Sequence, residues 1–202
     1  AIGALLPKGR LLLLHGVGSN EANLASLASS LPDDLEVLLL RGPLQVSPQG
    51  FAWYQVSFTS SGPSFDYQQA EASRQLLKRF IEALPELPTV IAGFSQGGIM
   101  SASMGLTEPE LVKGFALLSG RMLREIEPQI ASANRLQSVS AFIAHGNRDG
   151  VLPVDWANEA DAWLKRIGVA HETHLYDMAH EIVAEELADF SHWLTRTLSL
   201  SN

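Results

Sequence analysis

The sequence contains no cysteine and no long hydrophobic run. Without cysteine the chain cannot form a disulfide, bind zinc through thiolates or use a thiol as a nucleophile. Its longest strongly apolar run, residues 11–14, is far too short for a membrane-spanning helix. Residues 1–10 also lack the basic and apolar segments of a secretory signal. We therefore expect a cytoplasmic protein that is not integrated into a membrane.

Positive charge is also scarce in this chain. Lysine and arginine number 14 against 22 aspartates and glutamates, which gives a formal net charge of −8 at pH 7. Such a surface repels phosphate groups, which argues against nucleic-acid binding and against docking on anionic membranes. Hydrophobic residues make up 46% of the 202 residues and charged residues 18%, an ordinary globular balance. The length fits a single domain over residues 1–202.

Short apolar runs alternate with amphipathic stretches along the chain. The runs are continuously apolar instead of alternating, as expected for strands that are covered on both faces. This pattern predicts an α/β protein with a mostly parallel central sheet covered by helices on both faces. The predicted strands are residues 11–14, 36–40, 89–93, 114–118, 140–144 and 172–176.

The amphipathic stretches predict helices between these strands. Asn20, Asp66 and Asp155 stand where helices begin, and Asn20 and Asp155 are predicted to cap them. The polar segment 121–136 contains a proline and is interpreted as a loop with a short helix. The predicted helices are residues 20–31, 66–84, 96–106, 155–167 and 181–198.

Residues 42–63 contain no convincing regular element and are predicted to form a long loop. Loops of this length inside a compact domain are usually functional or disordered. The aromatic residues Phe51, Trp53, Tyr54 and Phe58 make disorder the weaker interpretation. Two interpretations stay open: the rings wall a pocket, or they cover the core from outside.

The strongest motif is a G-x-S-x-G turn centred on Ser95. A nucleophilic serine in such a turn stands between a strand and a helix, on a strained backbone. Side chains two positions before and after it would collide, which explains Gly93 and Gly97. The apolar run 89–92 precedes the turn and a helical pattern follows it. This context predicts that Ser95 is a catalytic nucleophile.

A serine hydroxyl needs an adjacent base, which in this type of turn comes later in the chain than the acid. His180 lies in a short loop after the last predicted strand, and Asp149 lies in the loop after the preceding strand. Such loops meet at the carboxyl edge of a parallel sheet. His192 lies inside a helix, and Asp177 is too close in sequence to face His180 easily. We therefore predict a Ser95–His180–Asp149 triad.

Acyl transfer also needs two donors aimed at the forming oxyanion. One predicted donor is the backbone N–H of Gln96, the residue after the nucleophile. The other is the N–H of Val17, in the glycine-containing loop after the first strand. The side chain of His15 in the same loop is interpreted as structural.

No metal or cofactor is predicted. His171 and His174 are three apart on a strand and so point to opposite faces. The sequence has no H-E-x-x-H motif, no cysteine cluster and no glycine-rich nucleotide motif that opens a helix. We expect chemistry carried out by side chains alone.

Together these segments resemble the phospholipase/carboxylesterase family of α/β-hydrolases, which includes bacterial carboxylesterases and acyl-protein thioesterases. The resemblance covers nearly the whole chain, and its most specific part is the unchanged GFSQGG turn. The matching segments are LHGVG at 14–18, the aromatic pair within 41–54, GFSQGG at 93–98, LSG at 118–120, HGNRD at 145–149 followed by Pro153, and HE at 180–181.

The resemblance implies an α/β-hydrolase fold and a carboxylic ester or thioester as the small-molecule substrate. It implies Ser95, Asp149 and His180 as the triad. It also implies Val17 and Gln96 as the oxyanion donors. Relatives in the family are often dimers, so a homodimer is a further expectation.

Substrate binding is expected to involve Trp53, Phe51 and Leu152. Trp53 is assigned there because it belongs to the aromatic pair that the family resemblance covers. The expected activity is that of a carboxylesterase for small to medium acyl groups. An acyl-protein thioesterase or lysophospholipase stays open as an alternative. A non-catalytic ligand-binding protein is the alternative from another class, although no triad member is missing.

Overall fold

The computed structural model describes residues 6–201, apart from the side chains of residues 58, 62 and 63. The strands of this part of the chain are β1 (Gly9–Leu14), β2 (Leu35–Leu40), β3 (Leu44–Ser47), β4 (Gly50–Ala52), β5 (Val56–Thr59), β6 (Gly62–Phe65), β7 (Thr89–Phe94), β8 (Gly114–Leu118), β9 (Ser140–Gly146) and β10 (Ala170–Tyr176). Its α-helices are α1 (Tyr67–Ala83), α2 (Gln96–Thr107), α3 (Ala133–Leu136), α4 (Asp155–Ile167) and α5 (Ala184–Leu198). Two 3₁₀ helices span Glu21–Ser30 and Arg124–Gln129.

The central sheet has the strand order β10-β9-β8-β7-β1-β2, and every neighbouring pair in it is parallel. Its six strands are the six predicted from the apolar runs, each within a few residues of the predicted bounds. From β1 the chain adds β2 on one side of the sheet, and from β7 onward it adds strands on the other side, so the strand order reverses between β1 and β7. In parallel sheets, ligand-binding sites lie at such a point, beyond the carboxyl ends of the strands.

Helices cover both faces of the sheet, as predicted. Alternate residues of each strand point to opposite faces, so each strand contributes side chains to two hydrophobic cores, one on each face of the sheet. Leu12 and Leu14 belong to one core, which they share with buried residues of α1, α2 and α4. Leu11 and Leu13 belong to the other, with residues of the 3₁₀ helix Glu21–Ser30 and of α5. The inner strands β1, β7, β8 and β9 are buried on both faces, which is why they appear as nearly continuous apolar runs.

The helix starts differ from the predictions at two places. Asn20 and Asp66 do cap the following helices, since their side chains accept hydrogen bonds from backbone N–H groups of the first turn. The prediction that Asp155 is an N-cap is wrong. Val154 precedes α4 in a helical conformation, so Asp155 is already the first helical residue and cannot fold back as a cap. The last helix begins at Ala184 instead of residue 181.

The segment 42–63 is not an irregular loop, which corrects the sequence-based prediction. It forms two antiparallel hairpins, β3–β4 and β5–β6, outside the central sheet. Their strands are only three or four residues long, and β3–β4 contains a register shift. Such short strands leave too few residues for an alternating pattern to be recognised in the sequence.

No helix among residues 6–201 is both long enough and apolar enough to cross a membrane.

Candidate active site

Ser95 stands at a sharp turn between β7 and α2. Its φ of 56° and ψ of −118° are outside the regions that non-glycine residues favour. The Ser95 N–H donates to the Leu118 carbonyl at 2.8 Å, which fixes the turn against the neighbouring strand β8. Such strain costs about 1–3 kcal/mol and persists only where the surroundings over-determine it. The strained turn holds the serine at the carboxyl edge of the sheet.

The glycines around Ser95 are required by close backbone approaches. A Cβ atom on Gly97 would overlap the Leu14 carbonyl at the end of β1. A Cβ atom on Gly93 would overlap the carbonyl of Gly97. A Cβ atom on Gly16 would lie 3.4 Å from the Ser95 Cβ, so the loop after β1 runs directly beside the serine. The G-x-S-x-G spacing thus reflects the crowding between β1, β7 and α2.

Ser95, His180 and Asp149 form one hydrogen-bonded line. The Ser95 Oγ lies 3.1 Å from His180 Nε2, and the Asp149 Oδ2 lies 2.7 Å from His180 Nδ1. The Phe94 ring packs against the imidazole, with ring centroids 4.7 Å apart. If His180 Nδ1–H donates to the carboxylate, Nε2 is left as the acceptor for the serine hydroxyl. The three predicted side chains are therefore brought together from three loops at one sheet edge.

The Asp149 carboxylate is fully enclosed and fully hydrogen-bonded. Its Oδ1 accepts from the N–H groups of Val151 and Leu152, both at 2.8 Å. Burial acts to raise the pKa of Asp149, but the hydrogen bonds from His180 and from these two amides outweigh it and hold the pKa below its usual value. Asp149 is therefore ionised at neutral pH and can stabilise a positive charge on His180.

The loops that carry Asp149 and His180 are joined to each other. Asn147 N–H donates to the Tyr176 carbonyl, and Arg148 N–H to the Met178 carbonyl. The Arg148 guanidinium also pairs with Asp177 at 2.8 Å. Asp177 therefore pairs with Arg148 and is not one of the residues hydrogen-bonded to His180.

The loop after β1 is held by His15, whose side chain is buried. His15 Nδ1 donates to the Gly16 carbonyl at 2.7 Å, and Nε2 accepts from the Gly42 N–H at 2.9 Å. Burial lowers the pKa of His15, which agrees with a neutral ring that donates at one nitrogen and accepts at the other. His15 is therefore a structural residue that fixes the path of the Val17 backbone.

The backbone amides of Val17 and Gln96 flank Ser95. Gln96 is the first residue of α2, so its N–H has no partner within the helix. Among residues 6–201, neither this N–H nor that of Val17 has a protein acceptor. The position of the Gly16–Val17 turn beside Ser95 fits the predicted pair of oxyanion donors.

The Gln96 side chain has a role that the sequence did not reveal. It is buried, its Oε1 accepts from the Trp53 N–H and its Nε2 donates to the Tyr54 carbonyl, both at 2.7 Å. Ser73 on α1 donates to the Trp53 carbonyl. The Trp53 ring nitrogen donates to the His15 carbonyl at 2.9 Å. Trp53 thus joins the hairpins to the turn of Ser95.

A cavity of about 210 Å³ opens beside Ser95. Leu152, which is expected from the sequence to bind substrate, lines this cavity, and so do Val17 and Gln96. Phe51 and Trp53 are not among its lining residues, in contrast to the expectation that they bind substrate. The lining residues are Val17, Tyr54, Val56, Ser64, Phe65, Ser95, Gln96, Ile99, Arg121, Val151, Leu152 and Trp156.

Phe51 and Trp53 have structural contacts instead. Trp53 is 1% exposed and makes the bonds described above, so its ring belongs to the core. Phe51 exchanges backbone hydrogen bonds with Gly18 and Ser19, and the Arg41 guanidinium lies 4.3 Å above its ring. Tyr54, the next residue, is also buried, but its side chain lines the cavity.

Several cavity residues were not predicted: Tyr54, Phe65, Arg121 and Trp156. The position of Arg121 could have been noticed in the sequence, because it comes three residues after the carboxyl end of β8, where active-site residues gather. Phe65 and Trp156 come from the β5–β6 hairpin and from α4, and only the folded chain brings them near Ser95.

Three further histidines, His145, His171 and His174, contact carboxylates or carbonyl groups. His171 Nε2 lies 2.9 Å from Asp161 Oδ1, and His174 Nε2 lies 3.2 Å from Glu172 Oε1. His145 Nε2 donates to the Leu152 carbonyl at 2.7 Å. Within residues 6–201 no group of three or more histidines, aspartates or glutamates is arranged to hold a metal ion.

A sequence model of the Phospholipase/Carboxylesterase family matches residues 4–198. The chain belongs to this family. Among its relatives, acyl-protein thioesterase 1 of Kluyveromyces lactis is 24% identical, with 96% of this chain and 93% of the relative covered. Acyl-protein thioesterase 1 of Emericella nidulans is 25% identical, with 95% and 91% covered.

Solved structures of the same architecture confirm the predicted α/β-hydrolase fold. Acyl-protein thioesterase 2 of Zea mays superposes with a TM-score of 0.83 at 22% identity, covering 98% of this chain and 97% of that one. The carboxylesterase of Bacillus cereus superposes with a TM-score of 0.80 at 24% identity, covering 94% and 89%. By its family membership this chain is a carboxylesterase-type hydrolase.

Proposed function

We propose that this member of the family is a serine esterase that hydrolyses small-molecule carboxylic esters or thioesters with small to medium acyl groups. The observation that carries the proposal is the hydrogen-bonded line from Ser95 through His180 to Asp149. A nucleophile, a base and an orienting carboxylate in this arrangement are the requirements of acyl transfer through an acyl-enzyme.

In the first step the Ser95 Oγ attacks the substrate carbonyl carbon while His180 Nε2 takes the hydroxyl proton. The carbonyl oxygen becomes an oxyanion, to which the amides of Val17 and Gln96 donate hydrogen bonds. His180 is then positively charged, and the ionised Asp149 stabilises it. The tetrahedral intermediate collapses when the bond to the alcohol or thiol breaks and His180 returns its proton to that leaving group.

The second step releases the acyl group. A water molecule attacks the ester carbon of the acylated Ser95, and His180 takes a proton from the water. The oxyanion forms again in front of the same two amides. Collapse of this intermediate frees the carboxylic acid, and the proton on His180 restores the Ser95 hydroxyl.

The size and lining of the cavity support a substrate of limited length. A volume of about 210 Å³ corresponds to roughly seven water volumes. Its walls are largely apolar near Ser95, with Ile99, Leu152 and Trp156 among the lining residues. An acyl group of a few carbons fills such a space by hydrophobic contact.

A thioesterase or lysophospholipase is the second candidate. Several curated relatives are named acyl-protein thioesterase 1, which favours the thioesterase of the two. A series of acyl chains, each presented as an ester and as the matched thioester, separates these activities. A kcat/KM that keeps rising to long chains and is higher for thioesters would favour the second candidate over the first.

Replacement of the nucleophile tests the proposal directly. Ser95→Ala is expected to lower kcat for 4-nitrophenyl esters by several powers of ten and to leave a residual rate about 10³–10⁴-fold above water. Ser29→Ala makes the same chemical change on the 3₁₀ helix Glu21–Ser30 and serves as the matched control. Full esterase activity in Ser95→Ala would disprove the assignment.

Covalent labelling distinguishes an enzyme from a non-catalytic binding protein on the same scaffold. A fluorophosphonate is expected to form an adduct on Ser95, located by peptide mapping, and to leave Ser95→Ala unlabelled. Folded protein that resists the reagent would favour the binding protein instead.

A further inference from the structure

Arg121 contributes a positive charge to the cavity that contains Ser95. Among the described residues that line this cavity, it is the one that carries a charge. It follows Gly120, which packs so closely on the turn of the nucleophile that a Cβ atom there would lie 3.0 Å from the Ser95 carbonyl oxygen. Residue 121 therefore lies after the carboxyl end of β8, at the same edge of the sheet as Ser95, which follows the neighbouring strand β7.

Two aromatic rings hold the Arg121 side chain in place. Its guanidinium carbon lies 4.5 Å from the centre of the Trp156 ring and 5.7 Å from that of Phe65. Both rings line the same cavity. A guanidinium stacked on aromatic faces keeps its N–H donors free at the edge of the plane.

Arg121 has no carboxylate partner within ion-pair distance in the part of the chain that the structure describes. The acidic residues Glu125 and Glu159 line a second cavity, of which Arg121 and Trp156 also form part. There, Glu159 pairs with Arg124 at 3.9 Å, and Glu125 is exposed. Other arginines do pair with carboxylates: Arg10, Arg41, Arg74, Arg135, Arg148 and Arg196.

The Arg121 side chain is partly exposed and, within residues 6–201, has no carboxylate in ion-pair distance, so its charge is available to a bound anion. The guanidinium presents several parallel N–H donors, which match the oxygen pairs of a carboxylate or phosphate. The protein as a whole carries a net charge of −8, so an anionic substrate has little other attraction to this surface.

We propose that Arg121 determines specificity by binding an anionic group, a carboxylate or a phosphate, carried by the ester substrate at a distance from its reacting carbonyl. This inference rests on the proposed esterase function, and it names the substrate class of the same site. The anion can be carried by the acyl group or by the alcohol, and the two are separated by the choice of substrates.

Matched pairs of esters provide the test. In the acyl pair, 4-nitrophenyl hexanoate is compared with the 4-nitrophenyl monoester of hexanedioic acid. In the alcohol pairs, the butanoate of methyl 4-hydroxybenzoate is compared with the butanoates of 4-hydroxybenzoate and of 4-hydroxyphenyl phosphate. The readout is the ratio of kcat/KM for the anionic ester to kcat/KM for its neutral partner.

Arg121→Met is expected to lower this ratio by about 10- to 100-fold for one of the pairs, as for the loss of a hydrogen-bonded ion pair. Arg121→Lys keeps the charge and is expected to restore part of the ratio. Arg124→Met removes a neighbouring arginine that does not line the cavity of Ser95, and its ratio should match that of the original protein. Arg121→Gln repeats the measurement if the methionine variant fails to fold.

The outcomes separate this inference from the function on which it rests. If Ser95-dependent hydrolysis is present but Arg121→Met and Arg121→Gln leave every ratio unchanged, Arg121 is only a wall of the cavity and the inference is overturned. If no ester is hydrolysed, or if Ser95→Ala hydrolyses them equally well, the proposed function fails and the inference fails with it. A ratio that falls on addition of salt in the original protein but not in Arg121→Met supports the inference.

Discussion

At the scale of single residues, Asp149 is the best-supported member of the proposed triad. Its carboxylate accepts hydrogen bonds from two backbone amides as well as from His180. His145 Nε2 also lies 3.3 Å from Asp149 Oδ2 and is itself bonded to the Leu152 carbonyl. These contacts fix the carboxylate in one orientation, so that its second oxygen points at His180.

Asp149→Asn is expected to lower kcat by about 10⁴-fold, because an amide cannot hold the His180 ring in the tautomer that accepts the Ser95 proton. The geometry should change little, since the amide has nearly the same shape. Steady-state kinetics on a 4-nitrophenyl ester measure the effect.

Asp177→Asn is the matched control for that substitution. Asp177 lies on the loop of His180, but it is exposed and pairs with Arg148. The loss of an exposed ion pair is expected to change stability by no more than about 1 kcal/mol and to have little effect on kcat. Equal kinetic losses in the two variants would argue that the loop as a whole, and not the carboxylate of Asp149, supports the activity.

At the scale of elements, the turn from β7 into α2 depends on backbone crowding. The end of β1 passes so close to α2 that a methyl group on Gly97 would overlap the Leu14 carbonyl. Ser95, Gly97 and the loop of Val17 are thus parts of one packed unit, and the strained serine is held by it.

Gly97→Ala is expected to destabilise the protein by about 1–3 kcal/mol, the usual cost of overpacking, because the backbone of β1 cannot move aside easily. Esterase activity should fall as well, since any shift of β1 displaces the Val17 amide. Urea unfolding and steady-state kinetics measure both effects.

Gly150→Ala is the control for this substitution, because a Cβ atom there meets nothing within 4 Å. Its free energy of unfolding should stay within about 0.5 kcal/mol of the original protein. A Gly97→Ala protein as stable as Gly150→Ala would contradict the packing argument.

At the scale of the whole molecule, one buried carboxyl couples stability to pH. Glu186 is 0% exposed near the start of α5 and accepts a hydrogen bond from the Val183 N–H at 3.3 Å. Its other oxygen has no partner among the described residues. Burial, with a smaller contribution from the negative charge of Glu181, raises the pKa of Glu186 to about 7 from an ordinary 4.5.

The direction of the effect follows from proton binding. Between pH 4.5 and about 7 the unfolded chain loses the Glu186 proton while the folded chain keeps it. The contribution to stability is therefore complete below pH 4.5 and is lost as the pH rises to about 7. The total loss is roughly 3 kcal/mol, from about 1.4 kcal/mol per pKa unit.

Glu186→Gln removes this titration. The free energy of unfolding of the variant, measured relative to that of the original protein, is expected to increase by roughly 3 kcal/mol as the pH rises from about 5 to about 8. Urea unfolding at the two pH values measures the difference. A difference between the two proteins that is the same at both pH values would contradict the argument. The same curves also test the prediction of a single domain, which requires one cooperative transition.

The central sheet and the candidate triad were accessible from the sequence alone. Strands buried on both faces favour apolar residues, so the four inner strands β1, β7, β8 and β9 were recognisable without knowledge of their neighbours. The turn of Ser95 is fixed by local crowding, which left its trace as glycines at fixed spacing. Parallel strands end at one edge, which made Asp149 and His180 the best candidates.

Only the tertiary structure decided which side chains line the cavity. Trp53 was assigned to substrate binding from the family's aromatic pair, but its hydrogen bonds to Gln96 and to the His15 carbonyl hold it in the core. Tyr54 and Arg121 take the places beside Ser95 instead. Which face a residue occupies in a short hairpin depends on register and on contacts distant in sequence, and neither leaves a periodic signal.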